Sequence, residues 1–253
     1  MRTMFQPLFA AAITLTLFGT TETANAQAAA PTTTRSYVQV VRLKADMVDE
    51  WMALQKDEVI PAQKKAGLTG RITLATQVGN AFEYTTITPF PSWGAMDGDA
   101  PLTRALGAAG AAALNAKLRK CIMTQNSYMA TRQDELGIPG GEALVWRVAV
   151  RRAVPGKMQE YLSFYKAEVL PAMQRAKAEG KIAGATVATR GAGAPSGEFT
   201  TVTMYNKFAD LDNPNPVVAV LGQEASQKIS DKTNLLSTAG QVIIRRRVAD
   251  LSF

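Results

Sequence analysis

The chain writes one stretch twice, and nothing else in it limits the fold so tightly. Lys56-Asp57-Glu58-Val59-Ile60-Pro61-Ala62 returns as Lys166-Ala167-Glu168-Val169-Leu170-Pro171-Ala172, with lysine, glutamate, valine and Pro-Ala in the same places. Further matches follow in the same order. Glu83-Tyr84-Thr85-Thr86-Ile87-Thr88 is echoed by Glu198-Phe199-Thr200-Thr201-Val202-Thr203, and Asp97, Pro101, Leu106 and Gly107 are echoed by Asp212, Pro216, Leu221 and Gly222. A period this long marks a duplicated domain rather than a short solenoid repeat.

Within each copy the hydrophobic period alternates between that of a strand and that of a helix. Tyr37 to Leu43 is rich in β-branched residues at strand length, and Val48, Trp51, Met52, Val59 and Ala62 recur at helical spacing, with Pro61 bending or ending the helix. Strand-like runs at 71–78 and 82–88 flank the turn residues Val78-Gly79-Asn80-Ala81, which predicts a hairpin. A helix over 102–119 and a strand over 122–132 complete the copy. The second copy repeats the order with strands at 143–152, 183–190, 198–205 and 241–248 and helices at 157–177 and 216–236. This βαββαβ order is the ferredoxin-like plan, of class α+β. The expected boundaries are a first repeat over 35–136, a linker over 137–141 and a second repeat over 142–253.

The N-terminus carries an address. Arg2, the apolar run from Leu8 to Phe18 and the small-x-small pattern Ala24-Asn25-Ala26 predict a cleaved secretory signal over residues 1–26, followed by a flexible lead-in over 27–34. The apolar run is shorter than the roughly 20 residues that span a bilayer. The mature chain is therefore expected to be periplasmic or secreted, with no membrane span.

The net charge of +7 is a mild excess. Arg245-Arg246-Arg247 cannot form one basic surface, because alternate residues of a strand face opposite ways. A nucleic-acid partner is not expected; a small organic ligand and a homo-oligomer remain open. The chain has no histidine, so a histidine-held haem or zinc and a Ser-His-Asp triad are excluded. Cys121 is the single cysteine, which excludes an internal disulfide and a thiolate cluster. The expectation is no metal and no cofactor, with Cys121 a small buried residue near a helix–strand junction.

Each half covers one sheet face with helices, leaving residues such as Val38, Val40, Val148 and Val150 on the other. Packing the halves sheet to sheet buries that second face. Here the chain resembles the dimeric α/β-barrel superfamily, in particular its NIPSNAP-like and antibiotic-biosynthesis-monooxygenase-like branches. The resemblance rests on the element order, on Val59-Ile60-Pro61-Ala62 before Ala66-Gly67-Leu68-Thr69-Gly70, and on the tandem pairing. It implies an intrachain barrel and a ligand cavity between the sheet and the helices of each half.

Candidate site residues are chosen for that cavity. On an ideal helix Glu58 returns to the face of Trp51, and Glu168 to that of Tyr161 and Phe164, where a desolvated carboxylate would act as a general base. The competing reading gives both glutamates to solvent or to lysines one helical turn away. Trp51, Tyr84 and Thr86 in the first copy, and Tyr161, Tyr165, Phe199 and Thr201 in the second, supply aromatic and hydroxyl groups for ligand binding. Trp51, Trp93 and Trp146 read as core. Gly191 to Gly197 lacks the Gly-Lys-Ser/Thr ending of a phosphate loop and reads as a long hairpin turn. Three functions stay open: a binding protein for a small molecule, a cofactor-independent monooxygenase or related enzyme, and a protein-interaction module.

Overall fold

A computed structural model describes residues 33–253. The expected signal segment over 1–26 and the expected lead-in as far as residue 32 lie outside the described residues. Strand β1 (Thr33–Leu43) takes up the last two lead-in positions, Thr33 and Thr34, which pair with Gln133 and Arg132. Helix α1 (Val48–Leu54) and helix α2 (Ile60–Lys65) follow, then β2 (Ile72–Val78), β3 (Glu83–Pro89), α3 (Pro101–Cys121) and β4 (Ile122–Gln133). The second half gives β5 (Val145–Ala153), α4 (Met158–Phe164), α5 (Leu170–Ala178), β6 (Gly184–Arg190), β7 (Glu198–Tyr205), α6 (Pro216–Leu221), α7 (Gln223–Leu236) and β8 (Ser237–Arg247).

The prolines of the repeated motif neither end nor break their helices. Between α1 and α2 the chain makes a wider turn over Gln55–Val59, in which the Ile60 N–H reaches back five residues to the Gln55 carbonyl. Tyr165–Val169 does the same between α4 and α5, with Leu170 donating to Tyr165. Proline has no N–H, and its ring would clash with the carbonyl one turn back; one widened π-type turn removes both conflicts. The later helix of each half is broken instead at a matched glycine. Gly107 has φ 72° and Gly222 φ 80°, a left-handed conformation that a side chain disfavours.

Each half forms a four-stranded antiparallel sheet, in the order β4-β1-β3-β2 and β8-β5-β7-β6. The halves then join edge to edge. β2 pairs with β8 and β4 with β6, and the eight strands close into one barrel. The helices lie outside, over two apolar layers built around Leu43, Trp51, Tyr84 and Leu114 in one half and Val145, Tyr161, Phe199 and Leu236 in the other. The opposite strand faces turn inward, where Leu74, Trp146, Val148, Val202 and Met204 form a third cluster. Val38 and Val148 are buried on that inner face.

The linker expected over 137–141 takes part in the sheet. Ile138 bridges Ala185, and the chain crosses β6 so closely that a Cβ on Gly184 would stand 2.5 Å from the Gly140 Cα and 2.6 Å from the Ile138 carbonyl oxygen. Both obstacles are backbone and cannot turn aside. Gly184→Ala is therefore expected to lower stability by about 1–3 kcal/mol in urea unfolding, while Gly98→Ala, with nothing within 4 Å of its Cβ, stays near the parent.

Candidate functional site

The strand alternation decides which side chains can meet a ligand. On β3, Tyr84 and Thr86 face the helices, whereas Thr85 and Ile87 face the barrel interior. On β7, Phe199 and Thr201 face the helices, and Thr200 and Val202 face inward. The helix-side layers are filled. Trp51 and Tyr84 lie 4.9 Å apart by ring centroids, and Tyr161 packs on Phe199 at 4.4 Å and on Tyr165 at 6.4 Å. Trp51, Tyr84, Tyr161, Tyr165 and Phe199 are buried core, and none of the seven predicted ligand-binding residues lines the large cavity of the molecule. The structure brings them together as packing, in two separate layers. Burial pushes the Tyr161 phenol up to about 12 and raises that of Tyr165 further, so neither is ionised at neutral pH.

The two glutamates leave the apolar face. Glu58 accepts from Lys117 on α3 at 2.8 and 3.1 Å, and Glu168 from Lys232 on α7 at 2.7 Å. The widened turns explain this. An ideal-helix projection puts Glu58 over Trp51, but the π-type turn spends extra residues on one revolution and rotates Glu58 and Glu168 toward the neighbouring helix. Their lysines come from that helix and not from their own. Trp93 also departs from expectation, being 52% exposed with its edge on Phe90. Cys121 is buried at the end of α3 as expected, and Gly191–Gly197 forms the β6–β7 turn.

The large cavity lies inside the barrel. It measures about 810 Å³ and opens at the end where β1 begins and β4 runs into the linker. Leu74, Ile87, Val148, Val202 and Met204 make apolar walls, and Trp146 adds its ring, its Nε1–H being committed to the Ala143 carbonyl at 3.1 Å. Arg132 and Asp134 stand at the mouth as an ion pair, with the Thr34 hydroxyl donating to Asp134 at 2.7 Å. Burial works to raise the Asp134 carboxyl, but the hydrogen bonds from Thr34 and Arg132 and the arginine's charge outweigh it and hold the group below its ordinary value.

Deeper in, Arg245 reaches across β2 to Glu83 at 3.0 Å, and Glu83 also accepts from Thr76 at 3.2 Å and from Asn80 at 2.8 Å. The seam between β4 and β6 carries a related pair, Arg190 and Glu198 at 3.3 Å, with Arg190 stacked on Tyr128. Three groups of the cavity lining have no hydrogen-bond partner in the protein: the Thr85 and Thr186 hydroxyls and the Arg245 Nε–H.

A second polar cluster has no counterpart in the other half. Arg71 is buried and donates to Gln55 at 2.6 Å, Gln63 at 2.8 Å, Thr73 at 3.1 Å and Thr86 at 3.5 Å, all neutral oxygens. Burial lowers its pKa to about 10, so it stays charged at neutral pH. Tyr165 and Met173 occupy the positions of Gln55 and Gln63 in the second repeat, and by strand register Ala185 and Val187 occupy those of Arg71 and Thr73. Sequence reasoning passed over Arg71 because a single arginine before a strand gives no sign of burial; the paired glutamines at 55 and 63 opposite tyrosine and methionine were the available signal. Among the described residues no cluster of histidine, cysteine or carboxylates is arranged to hold a metal ion, and no helix is long and apolar enough to cross a membrane.

No family model and no curated protein matches the chain. Solved structures do. A candidate monooxygenase of Lactobacillus acidophilus overlays 87% of this chain and 95% of its own with a TM-score of 0.57 at 13% identity. The chain has the dimeric α/β-barrel fold. An anthrone oxidase-like protein overlays 85% of this chain and 91% of its own at a TM-score of 0.53 and 10% identity. A heme-binding protein of Thermus thermophilus overlays 87% and 93% at 0.50 and 8%. At such identities the likeness concerns the fold alone.

Two predictions follow from the buried polar groups. A hydroxyl without a partner costs stability, so Thr85→Val, which keeps shape and removes the oxygen, is expected to raise the unfolding free energy of the ligand-free protein by about 1 kcal/mol; Arg245→Met, which strands Glu83, is expected to lower it by about 3–5 kcal/mol. The folded-state value of Asp134 lies below its unfolded one, so its contribution is complete above the ordinary carboxylate range and is lost as pH falls through the folded value. Thermal unfolding of Asp134→Asn should accordingly change less than that of the parent between about pH 5 and pH 2.5.

Proposed function

We propose that this is a small-molecule-binding protein whose ligand lies inside the barrel. One observation carries the reading: a cavity of about 810 Å³ has apolar walls and buried polar groups that the protein itself leaves unpaired. Pockets for small molecules combine an apolar lining with a few placed polar groups, and this cavity has that composition. Both seams are closed within one chain, so the site needs no second copy. The leader-like pattern over 1–26 supports placing the activity outside the cytoplasm.

The oxygenase reading finds less support. Structures of similar fold include a candidate monooxygenase and an anthrone oxidase-like protein, but a proton-abstracting base is hard to find at this cavity. Asp134 is a weaker base than an ordinary carboxylate because Thr34 and Arg132 hold its pKa down, the helix-side tyrosines are held neutral, and Glu58 and Glu168 are paired with lysines outside the barrel. A heme held by histidine does not fit a chain that has none.

Native mass spectrometry of the protein isolated from its own source is expected to show a stoichiometric small-molecule adduct that leaves on denaturation. Ala188→Phe, which fills the lumen, should abolish it, whereas Glu58→Gln and Glu168→Gln should retain it. An adduct that survives Ala188→Phe and disappears with Glu58→Gln would move the site to the helix-side layer.

A further inference from the structure

This inference rests on the barrel reading and narrows what the barrel accepts. We propose that the ligand is an uncharged, largely apolar carbonyl compound whose oxygen accepts hydrogen bonds from Thr85 and Arg245. Thr85 is 1% exposed and Arg245 is 5% exposed, and the Thr85 hydroxyl and the Arg245 Nε–H have no protein partner. Native proteins seldom bury such groups unpaired, because each forfeits its bonds to water without replacement. By strand register the two stand in adjacent inward rows, Thr85 level with Leu74 and Arg245 level with Thr76. Arg245 spans β2 to bind Glu83, and Thr85 is the next inward-facing residue after Glu83 on β3. Thr186 stands three strands away around the barrel and does not converge with them.

The donors define the atom they meet. Threonine gives or accepts a hydrogen bond, but an arginine Nε–H only gives one, so a group contacting both must be an acceptor. Charge then separates the kinds of acceptor. Arg245 is already neutralised by Glu83, and Arg132 at the mouth by Asp134. Arg71 spends its guanidinium on Gln55, Gln63, Thr73 and Thr86 at the helix-side layer. A carboxylate entering beside Glu83 would lose its hydration and meet a like charge, and Arg71, the cavity-lining arginine with no carboxylate partner, already has its donors taken up by four side-chain oxygens. A ketone, ester or amide oxygen incurs neither penalty. The rest of the molecule must match Leu74, Val148, Val202, Met204 and the ring of Trp146, which calls for an aromatic or branched apolar body.

Benzophenone, diphenylmethane and 4-benzoylbenzoate form a set with one body and three functional groups, and benzophenone photolabels the C–H bonds it touches. Irradiated with the full chain, benzophenone is expected to label peptides carrying Leu74, Val148 or Met204. Diphenylmethane and 4-benzoylbenzoate should each compete about tenfold more weakly than benzophenone does, a difference of about 1.4 kcal/mol. In Thr85→Val the label should stay in the barrel while the advantage of benzophenone over diphenylmethane falls to about threefold, Arg245 still donating. Label in the barrel with equal competition by diphenylmethane would overturn recognition of the oxygen and leave the barrel site standing; stronger competition by 4-benzoylbenzoate would overturn the uncharged class. Labelling confined to helix-side or outer peptides, or none at saturating probe, would overturn the barrel site itself.

Discussion

A four-stranded sheet ends in two rows of unpaired N–H and C=O groups, and such edges invite pairing with any other strand. This chain carries two such sheets and uses each to cover the other: β2 closes on β8 and β4 on β6. The rest of the molecule depends on that mutual closure. It forces the inner faces of both sheets to look across a shared space, it brings Arg245 over β2 to Glu83, and it draws the 137–141 linker onto β6 tightly enough to require glycine at 184. The duplication supplies both partners in one covalent chain, so closure does not depend on protein concentration.

Once the barrel is closed, its two environments differ in kind. The helix-side layers are packed with large side chains around Trp51 and Tyr161. The interior keeps a cavity, because eight inward rows of mostly Val, Thr, Ala and Ile do not fill it. The two repeats have also diverged where helices meet sheet: the first holds the buried Arg71 with two glutamines and two threonines, the second a cluster of Tyr161, Tyr165, Phe199 and Met173. A buried arginine served only by neutral oxygens is costly. Its hydrogen bonds join the first widened turn to β2 and β3, which fixes that helix against the sheet; in the second half apolar contact performs the same task.

The architecture was legible because its signals are periodic. Alternation in Tyr37–Leu43 and Glu83–Thr88, turn residues at Gly79-Asn80, and the matched glycines 107 and 222 each specify local geometry that the whole fold agrees with. Strand ends moved by a few residues, and Thr33–Thr34 joined β1 where a loose lead-in was expected. The site was read less well, for two physical reasons. A strand with Tyr84 and Thr86 on one face and Thr85 and Ile87 on the other mixes apolar and hydroxyl groups on both sides, so the sequence did not reveal which face would enclose a cavity. The helix projection assumed a uniform turn, and the extra residues required by Pro61 and Pro171 carried Glu58 and Glu168 to Lys117 and Lys232. The alternation that kept Arg245-Arg246-Arg247 from forming one surface did hold: Arg245 is buried in the barrel and Arg246 is exposed.

The central claim is that the large apolar cavity that takes a ligand lies within the barrel and not between sheet and helices. Methyl NMR of isoleucine-, leucine- and valine-labelled protein under xenon pressure tests it without assuming any ligand, since xenon enters apolar cavities on size alone. The account predicts xenon-dependent shifts at Leu74, Ile87, Val148 and Val202, with Leu114, Val169 and Leu170 unmoved. Shifts confined to the helix-side methyls, with the barrel methyls silent, would contradict it.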